Sequence, residues 1–219
     1  MIEHVYRRAA AARGVTEVLV ATDDERIGAA VARFGGRCVM TSPDHASGTD
    51  RIAEVARGLS CDLVVNVQGD EPALSPSAIE EAFAPLAADR SLVMGTLGSR
   101  IDPSSDPQNP NVVKVVVDRS GFALYFSRAP IPYYRNAADA GGPAVYRHVG
   151  LYVYRRDFLL TLAALPRTPL ERIESLEQLR ALEHGYRIKV VETQYQSVSV
   201  DTPEDLERVR RLAADGLLL

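Results

Sequence analysis

One stretch of this chain runs from apolar packing directly into reactive oxygen: Val64-Val65-Asn66-Val67-Gln68-Gly69-Asp70-Glu71-Pro72. Gly69 lets the backbone turn sharply, and Pro72 fixes the exit while removing a donor that would need a partner. Asp70 and Glu71 are left at the mouth of the loop, where hard oxygen ligands can hold Mg²⁺ against phosphates. A tight turn with merely solvated acids is the other reading of the same residues, because loops are commonly polar surface. Asp201 is a second acid with two uses. It stands just past an apolar segment, as Asp70 does, and before Thr202-Pro203 it can equally begin a helix. Asp70 has no such structural duty.

The elements around these acids decide whether they can act. Leu63 to Val67, without polar alternation, suits a strand covered on both faces, hence a parallel sheet between helices. In open α/β sheets, ligands bind outside the carboxyl ends of the strands, where Asp70 falls. Helical spacing covers His4 to Arg13 and stops at Gly14, and Glu17 to Thr22 is strand-like. Asp23 or Asp24 caps a helix through Phe34, which Gly35-Gly36 ends before a short strand, Arg37 to Thr41. Past the loop Asp44 to Thr49, a helix over Asp50 to Leu59 leads into the strand Asp62 to Gln68, and Ser75-Pro76 opens another helix.

The middle of the chain is β-rich: Leu92 to Leu97, Val112 to Asp118, Phe122 to Ser127 and Arg147 to Tyr154, with Asp118-Arg119-Ser120-Gly121 as a hairpin turn. Helices follow at Asp157 to Leu165 and near Glu171 to His184. Strands at Arg187 to Glu192 and Ser197 to Val200 come next, then an amphipathic helix to Ala214. The order predicts an α/β protein with a Rossmann-like fold and a mostly parallel central sheet flanked by helices, as a single domain over residues 1–219. A doubly wound fold normally opens with a central strand, whereas this chain begins inside a helix, so both neighbours of the absent strand are expected to carry unpaired backbone groups.

Bulk composition excludes several functions. With 219 residues, 46% hydrophobic and 25% charged, the chain matches an ordinary globular protein with a full core. A net charge of −4 and the lack of a long basic tract argue against nucleic-acid binding. No segment approaches the apolar length of a membrane span, and Met1 to Arg13 is too charged for a signal peptide, so a cytoplasmic protein is expected. Cys38 and Cys61 are far apart in or beside apolar segments, which predicts free thiols rather than a zinc site or disulfide.

Taken together, several segments resemble the 3-deoxy-manno-octulosonate (Kdo) cytidylyltransferases, the CMP-Kdo synthetases of lipopolysaccharide biosynthesis. They are Asp44-His45-Ala46-Ser47-Gly48-Thr49-Asp50-Arg51, the Asn66 to Pro72 loop, Asn111 to Val116, Ala123 to Arg128, Arg147-His148-Val149-Gly150-Leu151-Tyr152, Ser175 to Arg180, and Val200 to Leu206. They occur in family order and span nearly the whole chain. The resemblance implies attack of the anomeric hydroxyl of Kdo on the α-phosphorus of CTP with release of pyrophosphate, assisted by Mg²⁺ and carried out by a homodimer. Asp70 and Asp201 match the family's metal-binding and catalytic aspartates. Ser47, Gly48, Thr49 and Arg51 match its nucleotide-facing loop, although alone they read as a plain helix start. Gln68, Arg128, His148, Tyr152, Glu177 and Gln178 match its sugar pocket. There Arg128 and His148 can anchor the acidic end of the sugar, whereas singly such a histidine or glutamate is more often structural or solvated.

The family also opens with a strand and a glycine-containing, basic loop around the triphosphate. Neither Lys114 nor Lys189 stands in such a loop, so the native protein is expected to be longer than this chain. Two other readings stay open: an N-acylneuraminate-type cytidylyltransferase, and a non-catalytic nucleotide or sugar binder.

Overall fold

The computed structural model describes residues 1–101, 108–136, 145–196, 198–200 and 202–214. Its elements in chain order are α1 (Ile2–Ala11), β1 (Val20–Thr22), α2 (Glu25–Arg33), β2 (Cys38–Met40), α3 (Gly48–Arg57), β3 (Leu63–Asn66), α4 (Pro76–Ala88) and β4 (Met94–Arg100). They continue with β5 (Lys114–Val117), β6 (Ala123–Ser127), β7 (Val145–Arg155), α5 (Arg156–Ala164), α6 (Pro169–Glu174), α7 (Gln178–Glu183), β8 (Lys189–Thr193) and α8 (Pro203–Ala214). The single-domain expectation meets a chain that divides into two compact units, interleaved along the sequence.

The first unit comprises Met1–Ser60, Val65–Glu80 and Tyr195–Leu219. β1 and β2 pair in parallel, Val20 opposite Cys38 through Thr22 opposite Met40. The helix starts are built by side chains. Asp24 caps α2 by accepting from the Arg26 amide, and Ser47 caps α3 by accepting from the Asp50 amide, each satisfying a donor that the first turn leaves open. Val5, Ala9, Val31, Ala53 and Ala56 are buried between these layers. β1 is shorter than the predicted Glu17 to Thr22 because its partner β2 offers only three residues to pair with.

The second unit, Cys61–Val64 with Glu81–Gln194, is organised on a sheet in the order β6-β5-β7-β4-β8, with β3 pairing β7. β8 runs parallel to β4, while β4–β7, β5–β7 and β5–β6 are antiparallel. The α/β class is the expected one, but this sheet is not mostly parallel: only β4–β8 runs parallel among these pairings, because the β-rich middle segment enters the same sheet in antiparallel pairs, β5–β6 as a hairpin. The hairpin turn sits where the sequence puts it, with Gly121 at φ +75°, a conformation that costs glycine little. Gly95 has a different use: a Cβ there would come within 2.8 Å of Leu86 Cδ1, so the glycine lets α4 lie close against β4. Leu97, Phe126, Val153, Leu159, Leu179 and Ile188 are fully buried in this unit's core.

Three expectations are corrected. Leu63, Val64 and Val65 are half-buried rather than covered on both faces, as suits a strand paired on one side only among the described residues. The helix read over Glu171 to His184 is two helices, α6 and α7, separated at Ser175, whose φ of +51° is left-handed. Of the strand read at Ser197 to Val200, Ser197 lies outside the described residues and 198–200 form no strand.

Candidate active site

In the first unit, the residues assigned to a nucleotide lie past the carboxyl ends of parallel strands, where open α/β sheets bind ligands. Thr41 follows β2 and Asp23 follows β1, and Arg51 reaches both: its Nη1 donates to Thr41 Oγ1 at 2.6 Å and its Nη2 pairs with Asp23 Oδ2 at 3.1 Å. Thr49 is buried, and Ser47 Oγ also donates to Asp50 Oδ2 at 2.9 Å. Nothing stands within 4 Å of where a side chain on Gly48 would begin, so the surface there is open. The loop before α3 is held by Glu54, which accepts from the Ser42 amide at 3.2 Å and contacts His45 Nε2. The Glu54 carboxyl titrates below its ordinary range, first because of the His45 contact and then because of the Ser42 amide.

Asp70 and Glu71 part company in the structure. The Asp70 carbonyl accepts from the Val200 amide at 3.0 Å, which brings the residue that precedes Asp201 in sequence to the Asp70 loop. Asp201 itself lies outside the described residues. Glu71 is not at the mouth: it is 6% exposed and accepts from the Tyr195 hydroxyl at 3.1 Å. A buried carboxylate needs such a donor, and that need turns Glu71 inward. Burial first, and then the Glu71 charge, push the Tyr195 phenol well above its usual range. Among the described residues, no three His, Cys, Asp or Glu side chains gather as metal ligands.

The second unit holds five of the six residues assigned to the sugar, while Gln68 is an exposed residue of the first. His148, on β7, has Phe126 edge-on at 5.1 Å between ring centroids and Tyr152 at 5.3 Å. Desolvation lowers the His148 pKa from 6.5 to about 3, so the ring is neutral at physiological pH. Burial raises the Tyr152 phenol well above its usual value, with Tyr154 and Glu177 adding to the effect. Gln178 is 4% exposed and its Nε2 has no hydrogen-bond partner, a donor that a ligand would satisfy.

Arg128 is less free than the sequence suggests. Its Nε donates to the Glu174 carbonyl at 2.8 Å, its Nη1 to the Pro110 carbonyl at 3.0 Å and its Nη2 to the Ser175 carbonyl at 3.4 Å. Two of the five guanidinium protons therefore have no acceptor among the described residues and remain for an anion. The helix break at Ser175 turns these carbonyls toward the arginine.

A family model described as cytidylyltransferase matches residues 1–189. The 3-deoxy-manno-octulosonate cytidylyltransferase of Geobacter metallireducens is 58% identical over 217 residues, 95% of this chain and 85% of that protein. The one from Solibacter usitatus is 55% identical over 219 residues, all of this chain and 86% of that protein. The structure of CMP:2-keto-3-deoxy-manno-octonic acid synthetase complexed with CTP superposes with a TM-score of 0.92 at 45% identity, covering 98% of this chain and 88% of that one. The chain belongs to the 3-deoxy-manno-octulosonate cytidylyltransferase family.

Within this cytidylyltransferase, several supporting residues are invisible to motif reading. Glu174 accepts from Ser127 Oγ at 2.6 Å, the Arg128 amide at 3.0 Å and the Tyr125 hydroxyl at 3.4 Å. Burial opposes its ionisation, but these donors outweigh burial and hold its carboxyl below the usual range. Thr96, on β4, touches His148 Nε2 at 3.0 Å. Neither residue belongs to a segment that carries the family resemblance, so only tertiary pairing reveals them.

Proposed function

We propose that this cytidylyltransferase transfers CMP from CTP to Kdo. The anomeric oxygen of Kdo forms a bond to the α-phosphorus, the bond from that phosphorus to the α–β bridging oxygen breaks, and pyrophosphate leaves. The observation that carries this reading is the gathering of Arg128, His148, Tyr152, Glu177 and Gln178 in one unit, with a buried amide nitrogen left open to a ligand. Such a set suits an acidic polyol: two free guanidinium protons for a carboxylate, and a neutral imidazole, a phenol, a carboxylate and an amide for hydroxyls. The substrate named for relatives at 55–58% identity supports Kdo over other sugar acids.

Ser47, Gly48, Thr49 and Arg51 are assigned to CTP, at the strand ends of the first unit. Asp70 and Asp201 are assigned to Mg²⁺, which would neutralise the triphosphate and act as a Lewis acid there. Carboxylate oxygens suit that ion, and the bond from the Val200 amide to the Asp70 carbonyl supports bringing the two acids to one rim. The same reading carries a homodimer acting in the cytoplasm; the exposed Leu124, Tyr133 and Ile173 supply apolar surface for a second copy. No helix among the described residues is long and apolar enough to cross a membrane.

Pyrophosphate release from CTP by the protein with Mg²⁺ tests the proposal. Release that requires Kdo and does not occur with N-acetylneuraminate is expected. Equal or greater release with N-acetylneuraminate would move the protein to the other sugar class, and Kdo binding without turnover would make it a binder.

A further inference from the structure

The assignment of His148 to the sugar leaves open which ring nitrogen faces a ligand with a proton and which with a lone pair. The sheet answers this through Thr96. β4 and β7 pair with Thr96 opposite Tyr152 and then Leu97 opposite Val149, so Gly150 and Leu151 are extra residues of β7 at this step. Such a bulge breaks the ladder and leaves carbonyls in search of donors. Thr96 Oγ1 supplies one, lying 2.8 Å from the Leu151 carbonyl and 3.2 Å from the Val149 carbonyl. Thr96 is 0% exposed, and Val149 and Leu151 are each 1% exposed, so these groups are shut off from bulk water.

A hydroxyl has one proton and two lone pairs. With the proton committed to the bulge carbonyls, Oγ1 can only accept from His148 Nε2, 3.0 Å away. The opposite assignment, Thr96 donating to a bare Nε2, gives up its hydrogen bonds to these two buried carbonyls. Nδ1 has no protein partner among the described residues.

We propose that Thr96 is a positioning residue that fixes His148 as the Nε2–H tautomer, so that Nδ1 presents a lone pair to a hydroxyl of the bound sugar. This rests on the Kdo reading and sharpens it. A bare Nδ1 repels a carboxylate, so His148 reads a hydroxyl, and the acidic end of the sugar falls to the two free protons of Arg128 alone.

Long-range ¹H–¹⁵N spectra of ¹⁵N-histidine-labelled protein read the tautomer directly, without sugar. The chain has 4 histidines, and the His148 signals are those lost in His148→Gln. The wild type and Thr96→Ser are expected to show protonated Nε2 and bare Nδ1. Thr96→Val is expected to show mixed tautomers, with KM for Kdo raised about 3- to 10-fold and kcat and KM for CTP within about twofold of wild type. Thr96→Ser, which keeps the hydroxyl, should restore KM. Protonated Nδ1 in the wild type overturns the proposal, as does a Thr96→Val protein with unchanged tautomer and unchanged KM. Should Thr96→Val fail to fold, the wild-type and Thr96→Ser spectra still decide. Loss of Kdo-dependent pyrophosphate release would strike the substrate reading instead, because the tautomer is read with no sugar present.

Discussion

A histidine that stays neutral makes its cluster with Phe126 and Tyr152 acid-sensitive. The folded His148 has a pKa of about 3 against 6.5 for an unperturbed ring. Below pH 6.5 the unfolded chain takes up a proton that the folded chain refuses, so this group's contribution is whole above pH 6.5 and drains away toward pH 3. Between pH 7 and pH 5 the loss should be about 1–2 kcal/mol in the wild type and clearly smaller in His148→Gln, measured by urea denaturation at both pH values. An equal loss in both proteins would show that His148 is not the group refusing the proton. At this scale the sequence is partly legible. The Asp70 loop stands out, because an apolar run ends abruptly in Gly-Asp-Glu-Pro. The inward turn of Glu71 is not announced, since its donor Tyr195 stands 124 residues away.

The elements show why a broken helix serves the site better than a continuous one. Ser175 ends α6 in a left-handed turn, and the Glu174 and Ser175 carbonyls thereby become acceptors for Arg128, which holds β6 to α6. No glycine or proline marks this break, and the compensating arginine lies 46 residues earlier, so periodicity alone runs the helix through it. Removing the Glu174 side chain should release the end of β6. Glu174→Ala is expected to raise KM for Kdo about tenfold, through three lost hydrogen bonds around Arg128, and to leave KM for CTP unchanged. Steady-state kinetics with each substrate varied would check this, and an equal rise in both constants would contradict it.

The two short helices are themselves joined by a buried ion pair. Arg180 donates to both oxygens of Glu171, at 2.6 and 2.9 Å, and each residue is at most 3% exposed. Burial resists ionisation of Glu171, but Arg180, the Thr168 amide and Arg167 together keep its carboxyl below the usual range. Arg180→Met should cost about 3 kcal/mol in urea denaturation by leaving that buried charge to Arg167 and the Thr168 amide alone, and adding Glu171→Leu should recover much of the loss.

For the whole molecule, the α/β class and the order of elements follow from hydrophobic period and turn residues, and the helix starts at Asp24 and Ser47 stand where capping chemistry puts them. The mixed sheet was harder to read, because a hairpin and a crossover strand carry similar apolar patterns and differ mainly in what connects them. The proposed metal ligands, Asp70 and Asp201, are distant along the chain, and the Val200 amide on the Asp70 carbonyl supports assigning them to one ion. The decisive experiment compares Kdo-dependent pyrophosphate release by the wild type, Asp70→Ala and Asp201→Ala under saturating Mg²⁺, with circular dichroism as the check on folding. Each variant should fold as the wild type does and lose at least about 100-fold in turnover, about 2.7 kcal/mol of transition-state stabilisation. Wild-type turnover in both folded variants would contradict the claim.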